Sequence, residues 1–253
     1  MTSPFRNDVP ANAPSHGEKI EGGTSKSMTS TVFGSASSLL QSFAPVQQIC
    51  EHLCAFHFYS HDMTRQVEAH HFCSHINEDM RQCLIYDSDE PNARLIGVEY
   101  VISARLFDGL PEDEKKYWHS HNYEVKSGIL IMPLPSLTPS SLEKAAVERL
   151  VATYGKTWHF WQVDRGDTLP LGPAQLMMSF TNDNQLNPSL LRDRDILHCV
   201  DTAEKRAERA DIPPHTPHEG ADHWEKGVEG KKGTAWQLET KVVEFKRSPK
   251  DSL

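Results

Sequence analysis

The spacing of apolar residues divides the chain into a polar N-terminal segment, a core and a charged C-terminal segment. Residues 1–35 are rich in Ser, Thr, Pro, Gly and Asn and hold few large apolar side chains. Because such a segment cannot bury enough surface to offset the entropy of ordering, we expect residues 1–35 to be disordered. We expect residues 36–200 to form an α+β core and residues 201–253 to form a charged extension, partly docked on that core.

Apolar residues recur at spacings of three and four between residues 36 and 59, from Leu39 and Phe43 to Leu53 and His57. This period predicts an amphipathic helix over 36–59. The side opposite the apolar stripe is not basic, which favours a helix of the core over one that lies on a membrane surface.

The rest of the core reads as short strands and helices. Residues 80–87 and 94–103 are rich in β-forming side chains, and 88-SDEPNA-93 between them is turn chemistry, so a hairpin is expected. The other elements expected are helices at 103–118, 139–155 (closed by Gly155) and 188–198, and strands at 125–133, 157–164 and 174–180. Residues 234–247 alternate enough to form a strand or a docked arm. This order predicts a single domain with a mostly antiparallel sheet and flanking helices.

Charge and cysteine content narrow the functional classes. The net charge of −9 argues against non-specific binding of nucleic acid and against an anionic membrane surface. No apolar run approaches the roughly 18 residues of a membrane span, and the N-terminus has no apolar signal-peptide region. Five cysteines without a CxxC pair indicate reduced thiols, so a cytoplasmic protein is expected.

Histidine is over-represented, with fourteen residues, six of them between His52 and His75. Read as a helix, 67-VEAHHFCSHINED-79 places Glu68, His71 and His75 on one stripe, where the two histidines reach one divalent metal. The match to a zinc-protease helix is partial, because no Glu follows His71. Read as a strand, the stretch places His71, Cys73 and His75 on one face.

A second cluster lies in 117-YWHSHNYEVKSG-128, where His119 and His121 point the same way in an extended segment and Glu124 follows. His159 is a further candidate. A site built across both clusters would use Glu68, His71, His75, His119, His121 and Glu124 to bind zinc, iron or manganese. The alternative is that these histidines serve the fold through hydrogen bonds or lie on the surface.

Four long strings carry a resemblance to a known family: 66-QVEAHHFCSHINEDMRQCLIYD-87, 92-NARLIGVEYVIS-103, 116-KYWHSHNYEVKSG-128 and 153-TYGKTWHFWQVDRGDTLPLG-172. From about Pro45 to Val243 the chain resembles the oil body-associated proteins, a family also catalogued as a domain of unknown function. The resemblance implies an intracellular protein peripheral to lipid droplets, with the droplet surface or an apolar small molecule as its partner. It supplies no catalytic residues. A metal-dependent enzyme or a small-molecule-binding protein is the alternative.

Overall fold

The computed structural model describes residues 23–135 and 137–246. Within them the strands are β1 (Glu51–Tyr59), β2 (Asp62–Asn77), β3 (Met80–Tyr86), β4 (Leu95–Ser103), β5 (His119–Ser120), β6 (Thr153–His159) and β7 (Gln175–Met178). All of their pairings are antiparallel, in the order β4-β3-β2-β1-β7-β6-β5. Because β4 also pairs with β6, six strands close into a barrel and β5 extends one edge of β6. The expected α+β fold with an antiparallel sheet is confirmed.

Helices surround this barrel. They are α1 (Met28–Leu40), α2 (Ala44–Gln47), α3 (Ala104–Asp108), α4 (Glu112–Lys115), α5 (Asn122–Ser127), α6 (Ser140–Glu148), α7 (Pro188–His198), α8 (Thr202–Glu208) and α9 (His223–Lys226). No helix in the described part of the chain is long and apolar enough to cross a membrane. The first 22 residues of the segment expected to be disordered lie outside the described residues, and α1 follows them with no buried side chain.

The predicted helix over residues 36–59 is wrong, because Glu51–Tyr59 is the strand β1. Every residue of this strand from Leu53 to Tyr59 is buried, since one face lines the barrel and the other is covered. A strand buried on both faces reads as a continuous apolar run, which periodicity cannot separate from a buried helix. The rest of that range holds the end of α1 and the short helix α2, and neither helix has a buried residue.

Two further predictions are wrong in the second half of the core. The strand expected at 125–133 does not form: residues 125–127 end the helix α5, Gly128 caps it in a left-handed conformation, and Ile131 makes only an isolated bridge to Cys54. The helix expected over 139–155 ends at Glu148, and Gly155 lies inside β6 rather than at a helix end. The hairpin of β3 and β4 and the helix α7 are confirmed, the latter with Asn187 as its cap and Pro188 in its first turn.

The expectation of reduced thiols fails for two of the five cysteines. Cys73 and Cys83 form a disulfide between β2 and β3, whereas Cys50, Cys54 and Cys199 are free. The register explains the pairing, because Cys73 lies directly opposite Cys83 with their Cα atoms 4.0 Å apart. Sequence spacing alone does not reveal such a cross-strand neighbour.

Two buried arginines fix the segment that follows α5. Arg209, only 1% exposed, donates through Nη1 to the carbonyl oxygens of Val125 and Leu130 and through Nη2 to Glu143. Arg194 donates to the carbonyl oxygen of Ile129 at 2.6 Å. The C-terminal part of the chain therefore holds the loop that leads out of α5 against the barrel. Farther along, Gln237 accepts a hydrogen bond from the Leu176 amide, so part of the region 234–246 docks as an arm without regular secondary structure.

Replacing Arg209 by Met should lower the free energy of unfolding by about 3–5 kcal/mol, because it leaves the Glu143 carboxylate buried without one of its charged partners. Urea denaturation measures the loss. The control is Arg105→Ala, which removes an exposed ion pair to Asp79 and should cost about 1 kcal/mol or less. Equal losses in the two variants would contradict the anchoring role of Arg209.

Candidate metal centre in the barrel

The barrel interior holds a cluster of ionisable side chains in an otherwise apolar core. Side chains on a strand alternate between the two faces, and the inward positions include His57 of β1, His71 of β2, Glu99 of β4 and His159 of β6. His119 of β5 joins them because it pairs with Gly155 at the edge of β6. All five side chains are buried.

Gly155 makes this convergence possible. A Cβ atom at this position would overlap Glu99 Oε1 and would lie 2.6 Å from His119 Nε2, closer than real side chains approach. Any other residue would therefore displace the carboxylate or the imidazole. Gly155 is in the strand so that these two side chains can meet.

Glu99 is the centre of the cluster. His71 Nε2 lies 2.9 Å from Glu99 Oε2, and the Nε2 atoms of His119 and His121 lie 3.3 and 3.4 Å from Glu99 Oε1. The ligand atoms of Glu99, His119 and His121 all lie within 4.8 Å of one another, and so do those of Glu99, His57 and His71. Glu99 therefore belongs to two groups, each with two imidazoles and one carboxylate.

These close contacts are not hydrogen bonds. Neither His71 Nε2, His119 Nε2 nor Glu99 Oε1 has a hydrogen-bond partner of acceptable geometry, although all three atoms are buried. Leaving such atoms unsatisfied costs roughly 1–3 kcal/mol each. Glu124 Oε1 is in the same position, and its Oε2 lies 3.9 Å from His121 Nε2. These buried nitrogen and oxygen atoms therefore lack hydrogen-bond partners.

The Nδ1 atoms of His71 and His121, which face away from Glu99, are held by hydrogen bonds. His71 Nδ1 donates to the carbonyl oxygen of Ala69 at 3.1 Å, because a carbonyl can only accept. His121 Nδ1 lies 2.8 Å from Thr153 Oγ1, which gives its own proton to the Leu150 carbonyl and therefore accepts here. With Nδ1 used as a donor in both rings, Nε2 is the nitrogen that faces Glu99 and the one that an ion could bind. Metal-binding histidines show this same arrangement.

Burial and neighbouring charges shift the pKa values of Glu99, His57 and His159. Burial alone would raise the pKa of Glu99, but the charge of His71 and the close approach of His119 and His121 hold it well below its usual range. Burial lowers the pKa of His57 well below its usual value. Burial and the charge of His71 together lower the pKa of His159 to about 3. The centre is thus an ionised carboxylate with at least two neutral imidazoles nearby.

A cavity of about 20 Å³ remains beside Glu99. A water needs about 10–15 Å³ measured in this way, so the space fits one water or one ion. The polar side chains that line it are those of His57, His71, Arg81, Glu99, His121 and Glu124. An organic molecule has no room there.

The six residues predicted to form one site do not all meet. His71, His119, His121 and Glu124 surround Glu99, as the strand reading of 67–79 allows. Glu68 points to the other face of β2. His75 lies at the partly exposed end of β2, 3.1 Å from Glu51 Oε2, and accepts a hydrogen bond from Arg81.

Two residues of the centre, Glu99 and His57, were not among the predicted ligands. Glu99 carried a readable signal, since it is a lone carboxylate inside the apolar run 95-LIGVEYVIS-103. His57 was assigned to the stripe of the expected helix and could not be recognised while β1 was read as helical.

Comparison with known proteins agrees with the resemblance in the sequence. The family model described as "Protein of unknown function (DUF1264)" matches residues 43–213. Oil body-associated protein 1B of Arabidopsis thaliana is 51% identical over 194 residues, 77% of this chain and 79% of that protein. Oil body-associated protein 2B of the same plant is 36% identical over 251 residues and covers 98% of both chains. Oil body-associated protein 1A of Zea mays is 50% identical over 76% of this chain and 81% of its own. No solved structure matches.

Substituting Gly155 by Ala should destabilise the protein by about 1–3 kcal/mol, because the added methyl group forces Glu99 and His119 apart. Thermal or urea unfolding measures the change. Gly109→Ala is the matched control, since the nearest atom to its added Cβ is 3.5 Å away and its backbone is not left-handed. A loss at Gly155 no larger than at Gly109 would show that the close approach is not required.

Proposed function

The chain belongs to the oil body-associated protein family, DUF1264, and we propose that its barrel binds a divalent metal ion through Glu99 and the surrounding histidines. The observation that carries the proposal is the convergence of the Nε2 atoms of His71, His119 and His121 on the oxygens of one buried carboxylate, at 2.9–3.4 Å. Several of these atoms have no hydrogen-bond partner. A cation between them would satisfy the nitrogens and the carboxylate by coordination.

The donor set favours a transition metal. Each of the two groups around Glu99 offers two imidazole nitrogens and one carboxylate oxygen. Such a set binds zinc in hydrolases and iron(II) in oxygenases, and imidazole does not suit calcium or magnesium. Bonds of ~2.0–2.1 Å from the ion to each ligand allow ligand atoms to lie up to about 4.2 Å apart. The three distances from the Glu99 oxygens fall within that limit.

The surroundings support retention of the ion within the protein. The Nδ1 hydrogen bonds of His71 and His121 fix the orientation of both rings before any ion arrives. Asp222 fixes the strand that carries His119, because its two oxygens accept hydrogen bonds from the amide and hydroxyl of Ser120 at 2.9 and 2.7 Å. The small cavity has room for one ion or one water, so an ion that fills it leaves no space for an organic ligand.

Protein purified without a histidine tag or chelator should contain zinc, iron or manganese at this centre, and Glu99→Gln should lower the metal content by about one equivalent per chain. The amide keeps the shape of the carboxylate but removes the negative charge that His71, His119 and His121 all contact. Elemental analysis by mass spectrometry measures the content, and thermal unfolding with and without added metal measures the coupling to stability.

His75→Asn is the matched control, because His75 is a histidine of the same strand as His71 but lies away from Glu99. It should keep the metal. A wild-type protein without bound metal, whose melting temperature does not change on adding zinc, iron or manganese, would refute the proposal. Metal content that stays at the wild-type level in both Glu99→Gln and His121→Asn would place the ion elsewhere.

A second function, attachment to the surface of lipid droplets from the cytoplasmic side, is favoured by α1. The curated relatives are named oil body-associated proteins. Met28, Val32 and Leu39 share one stripe of α1, Phe33 and Leu40 lie beside it, and all five are more than 60% exposed. The opposite side of the helix is formed by Ser, Thr and Gly, and the helix contains no charged residue. Such a helix is suited to lie in the surface of an uncharged lipid layer.

Replacing Phe33 and Leu40 together by Ser should reduce binding to droplets of triolein coated with phosphatidylcholine at least fivefold, because roughly 3–6 kcal/mol of apolar transfer is lost. Flotation of the full chain through a density gradient measures the bound fraction. The control replaces Leu142 and Leu171, which are exposed on other surfaces of the molecule, by Ser and should float as the wild type does. A wild-type chain that stays at the bottom of the gradient would exclude direct attachment.

A further inference from the structure

A second cluster of ionisable side chains lies on the outer side of the barrel wall, away from Glu99. It consists of Cys54 of β1, Glu68 and His70 of β2, and His198 in the last turn of α7. One ligand atom of each lies within 4.8 Å of one ligand atom of each of the others. We propose that this cluster is a separate metal site with four protein ligands, that it takes zinc, and that it ties the end of α7 to the barrel.

The distances suit a single ion. Cys54 Sγ lies 3.8 Å from Glu68 Oε1 and 4.0 Å from His70 Nε2, and His70 Nε2 lies 3.0 Å from the same carboxylate oxygen. His198 Nε2 approaches that oxygen to 4.0 Å. Zinc bonds of ~2.0–2.3 Å in a tetrahedron separate ligand atoms by about 3.3–3.6 Å. Shifts of a few tenths of an ångström bring these four distances to that geometry, and the two remaining pairs lie within 4.8 Å.

Burial and unmet hydrogen bonding point to a missing occupant. Cys54 and His70 have no exposed surface, and the side chain of His198 is only 8% exposed. His198 Nε2 is buried without a hydrogen-bond partner and faces the other three ligand atoms. An ion would satisfy this nitrogen, for which the described structure offers no donor or acceptor.

A fifth residue positions the cluster. His52 Nε2 lies 3.1 Å from His70 Nδ1, and the His52 ring stacks on Phe72 with the ring centres 4.4 Å apart. This contact fixes the ring of His70 and leaves its Nε2 directed at Cys54 and Glu68. Metal-bound histidines are held through their second nitrogen in the same way.

The same geometry argues against a nucleophilic cysteine. In a catalytic relay the histidine uses one nitrogen for the nucleophile and the other for the carboxylate. Here a single nitrogen, Nε2 of His70, faces both Cys54 and Glu68. Cys54 also has no access to solvent, so no substrate reaches its sulfur. Convergence of three different donor atoms on one point is what an ion requires.

The sulfur ligand gives this site a signature that the Glu99 centre lacks. Both cysteines that line the barrel interior, Cys73 and Cys83, are joined in the disulfide. Cobalt(II) bound to a thiolate shows a sulfur-to-metal charge-transfer band in the near ultraviolet, whereas cobalt bound to nitrogen and oxygen alone does not. The outer site is therefore separable from the inner one by spectroscopy, and the two proposals can fail independently.

The full chain, prepared without reductant and stripped of metal, should show this band on addition of about one to two equivalents of cobalt(II). Cys54→Ser should remove the band, whereas Cys199→Ser, which removes an exposed thiol next to His198, should keep it. Glu99→Gln should also keep the band, because the inner centre contributes no thiolate. Circular dichroism establishes that each variant is folded.

His198→Asn provides a test that removes no residue of the barrel wall. It should weaken zinc binding in competition with a chromophoric chelator by roughly tenfold or more, and should increase amide hydrogen exchange in α7 of the zinc-loaded protein. No charge-transfer band in the wild type, or a band that persists in Cys54→Ser, would overturn the proposal. If the charge-transfer band is present but Glu99→Gln holds as much metal as the wild type, the outer site stands and the proposal for the Glu99 centre is refuted.

Discussion

The structure depends on a carboxylate that has been taken out of water. Glu99 is 3% exposed and sits at the centre of a closed sheet, where an unpaired charge costs several kcal/mol. The surrounding strands offset that cost, because β1, β2, β5 and β6 each place a histidine near the Glu99 carboxylate. Gly155 supplies the space in which the carboxylate lies. A barrel without a charge at this position would be filled with apolar side chains.

The two clusters arise from the alternation of a strand. In 67-VEAHHFC-73 the neighbouring residues His70 and His71 point to opposite faces of β2, so that one belongs to the outer cluster and the other to the Glu99 centre. Cys54 and His57 are divided in the same way on β1. Both faces of these two strands are covered, which is why ionisable groups on either face are buried and need partners.

Local features of the fold could be predicted from the sequence, and features that depend on barrel closure could not. A short helix was expected at 188–198, which are the limits of α7, and the β3–β4 hairpin followed from its turn residues. The pair His119 and His121 was found because its members are close along the chain. Glu99 was missed because its partners lie between about 20 and 60 residues away along the chain, from His119 to His159, and the pairing of β4 with β6 has no local signature. β1 was misread for a related reason, since burial on both faces removes the alternation that marks a strand.

The two clusters also constrain the register of β1 against β2. A slip of one residue would turn His70 into the barrel and His71 out of it, and would set Glu68 among apolar side chains. Each such exchange leaves a buried polar group without partners at roughly 1–3 kcal/mol, and several would occur together. In an apolar barrel a slipped register loses only packing, whereas here it breaks both clusters at once. The polar groups therefore specify the pairing of the two strands, with or without bound ions, and any ion at either cluster adds to the same preference.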